Sequence, residues 1–442
     1  MIEPFVGCLI VLVVLAGLGA SISLAMIAAA TVYLLLKGQD LALAAEQMIQ
    51  GLYDSPMLLA IPLFITAANI MNAGQISERL LRFCIALVGR FRGGLGHVNV
   101  VANMIFAGMS GSAVADAVGL GKIIIPMMTK DGRYSRGYAA AITGAAATIG
   151  PIIPPSIPMV MYALVSNASI GYLFMGGIVP GILMGLVLMF FNWRTAVKRG
   201  FPIEASVPLR ELPQLTLLAL PALLMPVFLL TCIYGEMFIP AMSGLVTTTE
   251  AAALAALYAL LVSALLYRSL SLRALHGVFS ESAKATAAVG LVIGASLIFN
   301  YIIAAENIPA KVTVLMESLK VSPLMFLIMV NILFLILGCL LDASTIILVI
   351  IPLFMPTCKA LGIDLVHFGV VSVVNCMIGL ITPPYGVLLF VVNAVTGIPL
   401  KEMISEIWGF VAVLIIALFA MIVFPDIVLF LPKLAGYKVG TL

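Results

Sequence analysis

Two short polar interruptions in an otherwise apolar chain carry residues whose types and spacing could do chemistry. One is Gly108-Met109-Ser110-Gly111-Ser112, with Asp116 one helical turn later; the other is Leu341-Asp342-Ala343-Ser344-Thr345. Each is followed in the chain by a glycine and a proline pair, at Gly150 to Ser156 and at Gly379 to Tyr385. Proline removes a backbone donor, and a Pro-Pro behind a glycine unwinds a helix rather than kinking it. Inside a membrane, unwound backbone is tolerated only where it lines a cavity or is buried in protein. The freed carbonyls are good ligands for a hard monovalent cation.

This pairing predicts two cation sites. The first combines the hydroxyl or carbonyl oxygens of Ser110 and Ser112 with carbonyls of Gly150, Ile153 and Pro155. The second sets Leu341, Asp342 and Thr345 against Gly379, Thr382 and Pro384. The half-helices that begin after the breaks point their positive ends at a common gap, which suits an anionic carboxylate. Gly111, Asp116, Ser156, Ser344 and Tyr385 are the residues expected around that gap. A carboxylate within a membrane segment costs about 2.5 to 3.5 kcal/mol on insertion scales, so Asp116 and Asp342 are read as functional. The structural alternative, that each caps a helix N-terminus, is compatible with cation coordination.

The elements that must hold these residues are membrane helices. Of the 442 residues 63% are hydrophobic and 9% charged, whereas soluble domains carry about 25% charged residues. Lipid is therefore the main solvent. Spans are expected near 5–36, 57–76, 137–165, 171–192, 215–234, 243–267, 285–304, 367–393 and 405–431. The first follows Glu3 rather than a basic stretch and reads as a retained span, either one tilted helix or two turning near Gly17 to Ser21. Two further runs, 95–128 and 322–357, would each be roughly 50 Å long as one helix and are interrupted in the middle, so they are expected to be re-entrant hairpins.

An internal repeat supports the hairpins. Ile149-Gly150-Pro151-Ile152-Ile153-Pro154-Pro155 recurs as Ile378-Gly379-Leu380-Ile381-Thr382-Pro383-Pro384, and Ile124-Ile125-Pro126 as Ile350-Ile351-Pro352. Basic flanks place both ends of the first hairpin on the cytoplasmic side, and the second then enters from the opposite face. Following the chain this way leaves about fifteen of the 22 Lys and Arg residues inside, Arg268, Arg273 and Lys284 sharing one cytoplasmic loop. Two such units of opposite orientation are the inverted repeat of secondary transporters. The expected organisation is an N-terminal span and amphipathic linker (1–56), a first repeat (57–200, break at 150–156), connecting scaffold helices (201–284), a second repeat (285–432, break at 379–385) and a tail (433–442).

Other chemistry finds no footing. Cys8, Cys84, Cys232, Cys339, Cys358 and Cys376 show no paired ligand spacing, and the three histidines have no partner at i+4. The stretch Gly119 to Lys122 fails the phosphate-loop pattern, which needs a glycine where Asp116 stands and a Ser or Thr where Ile123 stands. The net charge of +3 is dispersed between apolar segments, so nucleic acid is not an expected partner.

The texts GMSGSAVADAVGLGKIIIPMM, ATIGPIIPPSIPMV, LLDASTIILVIIPLFMP and MIGLITPPYGVLLF together resemble the large membrane subunit of tripartite ATP-independent periplasmic (TRAP) transporters over almost the whole chain. The resemblance implies an all-α membrane protein with a moving transport domain and a static scaffold, an elevator in the bacterial inner membrane. It implies sodium as the coupling ion, with Ser110, Ser112, Gly150, Ile153 and Pro155 as one site and Asp116 close by. Asp342, Thr345, Gly379 and Thr382 would form the other. It also implies a small four-helix membrane subunit, expected to be a separate chain, and a periplasmic binding protein that delivers the organic acid. Two rivals remain: a stand-alone ion-coupled carboxylate symporter of the same architecture, and an intramembrane enzyme. The enzyme lacks any HExxH, GxGD or Ser/His pair in this sequence.

Overall fold

The computed structural model describes residues 3–74, 76–204, 210–238 and 247–438. Residues 1 and 2, residues 243–246 of the expected span 243–267, and residues 439–442 of the expected tail lie outside the described residues. Helix dominates throughout. Among the described residues, six helices are long and apolar enough to cross a membrane, including Ile170–Arg199, Leu272–Ala305 and Leu400–Val423.

The N-terminal run resolves into two helices, α1 (Pro4–Gly17) and α2 (Ile22–Lys37), that pack on each other. Gly19 takes the left-handed turn between them. The linker is a helix, α3 (Ala42–Tyr53), and α4 (Ala60–Ala73) follows a 3-10 turn opened by Pro56. Then come α5 (Ile76–Val88), the arms α6 (Gly94–Ser110) and α7 (Ala113–Thr129), the half-helices α8 (Arg136–Ala147) and α9 (Ile157–Ser166), and the long α10 (Ile170–Arg199). After α11 (Leu212–Phe238) and α12 (Thr248–Leu261), the pattern repeats. It runs α13 (Leu272–Ala305), α14 (Ile308–Ser318), the arm α15 (Pro323–Gly338), and a return arm of α16 (Ala343–Thr345), a π turn and α17 (Ile351–Ala360). The half-helices α18 (Leu365–Gly379) and α19 (Val387–Thr396) and the closing α20 (Leu400–Val423) and α21 (Asp426–Leu434) complete it.

Both interrupted runs are helix–turn–helix hairpins. In the first, the Asn99 amide reaches the Met128 sulfur at 3.9 Å, so residues on either side of the tip lie side by side. In the second, Phe354 stacks edge-on against Phe326 and Phe334. Proline placement shapes the return arm: Pro352 cannot donate to the Leu348 carbonyl, and the Asn300 amide of α13 fills that place at 2.9 Å.

Three expectations need correction. Arg273 and Lys284 both lie inside α13 rather than on a loop with Arg268. Glu281 of this helix lines a cavity described below. The span 405–431 breaks before Pro425, since a proline disfavours helix in the residue before it, Phe424. The short helices α5 and α14, each just ahead of a hairpin, were not anticipated, because their charged residues and length fall below any spanning signal.

The two repeats interlock. The half-helix α19 packs against α7 and α8 of the first repeat, and α9 packs against the return arm of the second hairpin and against α18. Tyr162 on α9 is fully buried and donates to the Leu365 carbonyl at 2.6 Å, beneath Gly369, where any Cβ would strike its ring. Around this body stand α1 to α4 and α11 to α13, with α4 packed on both α12 and α13.

Within each repeat a buried amide ties hairpin arm to broken helix: Asn99 donates to Thr143 at 2.6 Å, and Asn375 donates to the Asn331 carbonyl and Oδ1 at 2.7 and 2.8 Å. Asn375→Ala strips the donor from a buried acceptor, which costs about 1–3 kcal/mol. Thermal unfolding of the detergent-solubilised protein is expected to show a lowered midpoint, and an unchanged midpoint would mean this clamp does not hold the arm.

Candidate functional site

Four half-helices begin at the breaks, and each opens with local chemistry suited to a helix start. Ser112 accepts from the Ala115 amide at 3.4 Å, and Ser156 accepts from the Met159 amide at 3.2 Å. Asp342 accepts from the Thr345 amide at 3.2 Å and from its hydroxyl at 2.5 Å. The fourth start, at α19, is a left-handed Gly386.

These four starts open onto one cavity of about 800 Å³. Ser110 to Ala115 line it from the first tip, Ile157 and Pro158 from α9, Asp342 to Ser344 from the second tip, and Val387 from α19. Each helix N-terminus is equivalent to roughly +0.5 charge, so the chamber favours an anion. Its far wall belongs to α4 and α13, through residues that include Asn69, Asn72 and Glu281.

The other four helix ends converge in pairs at the edge of the cavity, which Ser110, Pro151, Met377 and Leu380 also line. The C-terminal ends of α6 and α8 meet where the Asp116 carboxylate lies against the Gly150 Cα. Gly111 touches the Pro155 carbonyl so closely that a side chain there would collide with it. The ends of α15 and α18 meet at Gly338 and Gly379, each so close to the other's backbone that an added Cβ at Gly379 would lie 2.7 Å from the Gly338 Cα. Helix C-termini carry partial negative charge and favour cations. The arrangement is thus a chamber ringed by helix starts, with two carbonyl-rich corners at its edge.

The expected site residues divide along that line. Ser110, Gly111, Ser112, Asp342 and Ser344 line the cavity. Gly150, Pro155, Gly379 and Thr382 are buried, with the Thr382 hydroxyl donating to the Ile378 carbonyl at 2.7 Å. Ile153 is half-buried against Gly181 of α10, Thr345 is buried against Asp342, and Leu341 is half-buried. Pro384 is exposed beside the second break.

Three residues expected around the gap are elsewhere. Asp116 faces back toward Gly150, Ser156 spends its hydroxyl on the Pro151 carbonyl, and Tyr385 is 58% exposed away from the chamber. Spacing from a break gives depth along a helix, not the direction in which the side chain leaves it.

Four polar lining residues carried no expectation: Asn69, Asn72, Lys122 and Glu281. Asn69 donates to Ser282 at 2.9 Å, joining α4 to α13, while the buried Asn72 Oδ1 has no hydrogen-bond partner among the described residues. Two asparagines three apart on one face of an apolar helix were the signal available for the first pair.

Residues 6–427 match the family described as Tripartite ATP-independent periplasmic transporter, DctM component. The chain is 38% identical over 423 residues to the sialic acid TRAP transporter large permease protein SiaM of Vibrio cholerae serotype O1, with 96% of each chain covered. It is 40% identical over 379 residues to the C4-dicarboxylate TRAP transporter large permease protein DctM of Pseudomonas aeruginosa, covering 86% of this chain and 87% of that one. Its fold also matches MtrF of Neisseria gonorrhoeae, solved as one of a class of antimetabolite efflux pumps, with a TM-score of 0.59. That match covers 83% and 80% of the two chains at 14% identity and speaks to the fold alone.

Gly111 is the tightest link between tip and break, at a positive φ of 60°. Gly111→Ala adds backbone strain of about 1–3 kcal/mol and forces the tip off Pro155. Transport by the reconstituted protein should fall at least tenfold while membrane insertion persists; retention of full transport would contradict the contact.

Proposed function

From the premise that this chain belongs to the DctM-component family of TRAP transporters, we propose that it is the large permease subunit of a sodium-coupled importer of a small organic acid. The observation that carries this reading is the charge pattern of the breaks: four helix N-termini around one chamber, with paired C-termini at its edge. In the proposed mechanism each corner takes one sodium ion, Ser110, Ser112, Gly150, Ile153 and Pro155 serving the first. Leu341, Asp342, Thr345, Gly379, Thr382 and Pro384 serve the second. The carboxylate of the solute lies in front, between Ser112 and Ser344. Sodium charge behind the tips offsets the anion in front, which couples the two without chemistry on the solute. The chain does no bond-breaking in this scheme.

Movement follows from the interlock. Two hairpins and two broken helices packed through one another act as a single body, and the chamber lies on its boundary with α4 and α13. We assign that body as the transport domain of an elevator and the surrounding helices, α1 to α4 and α11 to α13, as scaffold. The hairpins are re-entrant in this assignment, entering from opposite faces of the inner membrane. Family membership also supports two partners, a small membrane subunit and a periplasmic binding protein; the relatives are named large permease proteins. Their named solutes, sialic acid and C4-dicarboxylates, set the first candidates to try.

The test is uptake of those acids into proteoliposomes holding this chain with its small subunit, the binding protein being supplied outside. Uptake is expected with external sodium and not with choline, and Ser110→Ala should weaken the sodium dependence about tenfold. Equal uptake in choline would remove sodium from the scheme. Uptake without the binding protein would instead favour a stand-alone symporter.

A further inference from the structure

Helix α5 has 13 residues, about 20 Å, too short for a hydrocarbon core of about 30 Å. Both its ends are tied to one side of the protein. Just ahead of it the Gly74 carbonyl accepts from the Ser269 hydroxyl at 2.8 Å, beyond the end of α12. Past it the Gly93 amide donates to the Pro202 carbonyl at 3.1 Å, beyond the end of α10. Helix α10 ends in Lys198 and Arg199 and α12 is followed by Arg268, the basic signature of a cytoplasmic face. The short helix therefore runs along that face, with Leu80, Leu81, Cys84 and Val88 buried and Arg82 exposed.

At the start of α5 the arginines are held in place. The Arg79 guanidinium lies 4.0 Å over the centre of the Tyr267 ring. Tyr267 is buried and donates to the Leu218 carbonyl of α11 at 2.8 Å, which anchors the stack. The next residue, Arg268, is exposed and sits at a positive φ of 49°, a region that long side chains rarely adopt. Its neighbours Tyr267 and Ser269 pin it from both sides, so the surroundings impose that backbone and the direction of the side chain.

These charges have no internal use. No Asp or Glu among the described side chains forms an ion pair with Arg79, Arg82 or Arg268. Beside them, large apolar side chains face outward: Leu217 is 69% exposed, Leu265 68% and Leu266 60%. Fixing the orientation of a membrane protein needs basic residues on the inner side and nothing more. It requires neither a stacked guanidinium nor a pinned arginine at positive φ.

We propose that this corner of α5, α11 and α12 is a binding site for an anionic phospholipid of the cytoplasmic leaflet. The lipid phosphate lies between Arg79 and Arg268, with Arg82 one turn further along α5, and the acyl chains run over Leu217, Leu265 and Leu266. A guanidinium fork matches phosphate oxygens in pairs, and basic pockets between membrane helices on the cytoplasmic side suit anionic headgroups. The place gives the lipid a consequence. Helix α5 is the link from the wall helix α4 to the hairpin arm α6, so a lipid seated here fastens the wall end of that link.

The test is thermal unfolding of the full chain in neutral detergent, with phosphatidylglycerol, phosphatidylcholine or inorganic phosphate added. Phosphatidylglycerol is expected to stabilise at a mole fraction at least tenfold lower than phosphatidylcholine, and inorganic phosphate is expected to do nothing. Arg268→Gln, at an exposed position, should remove most of that preference. Arg79→Lys keeps the charge but loses the fork and the stack, and should weaken the preference at least threefold. Lys198→Gln, on the same face at the end of α10, should leave it intact.

Equal effects of the two lipids on wild type would overturn the proposal, as would full preference retained in Arg268→Gln. An equal loss in Lys198→Gln would also overturn it, by reducing the site to bulk surface charge. Stabilisation by inorganic phosphate as strong as by the lipid would make the ligand a soluble anion and end the lipid reading. If Arg79→Lys does not fold, the outcome for Arg268→Gln decides alone.

Discussion

A backbone carbonyl without a donor in hydrocarbon costs several kcal/mol, and the rest of this structure depends on where such groups are put. Most membrane helices hide the problem at their ends, outside the bilayer. This chain instead gathers helix ends in its interior: two hairpin tips and two proline-broken helices supply four starts and four finishes among the described residues. Helix dipoles then sort themselves, starts around one chamber and finishes in two corners. The first break is enclosed by other protein, whereas the second leaves Pro384 and Tyr385 exposed.

Glycine makes the gathering possible. Gly338 against Gly379 and Gly111 against the Pro155 carbonyl are backbone-to-backbone contacts that no side chain would permit. They bring hairpin and broken helix close enough for carbonyls from both to share one ion in the proposed sites. The buried amides Asn99 and Asn375 hold the same pairs of elements together further along their length. The pseudo-symmetry is in the backbone more than in the side chains: the amide sits on the hairpin arm in one repeat and on the broken helix in the other.

Much of this was legible in the sequence, for a physical reason. Pro-Pro behind glycine forbids continuous helix whatever surrounds it, so both breaks and both tips stand where the text puts them. The repeated motif also led to the expectation that the two tips share one gap, and both line one cavity. Side-chain direction was not. Asp116 turns to the rear and Tyr385 to the outside, because a helix rotates 100° per residue and a residue or two decides which neighbour is met. The scaffold wall was illegible for a different reason: Asn69, Asn72 and Glu281 carry no motif, and only the tertiary fold brings α4 and α13 against the tips.

That wall bears on how a solute could cross. The chamber is bounded on one side by elements that interlock and on the other by elements that pack mainly among themselves. Sliding within the interlocked body would pull Tyr162 from beneath Gly369 and strip α19 from α7, with large losses of buried contact. Sliding between body and wall disturbs fewer such fixtures, and the wall presents polar groups, Asn69 and Glu281 among them, that can pass along the cavity surface while staying solvated. The boundary of least resistance therefore runs through the chamber itself. In the proposed mechanism a bound acid placed there would travel with the tips that hold its charge, and the proposed ions would travel with it.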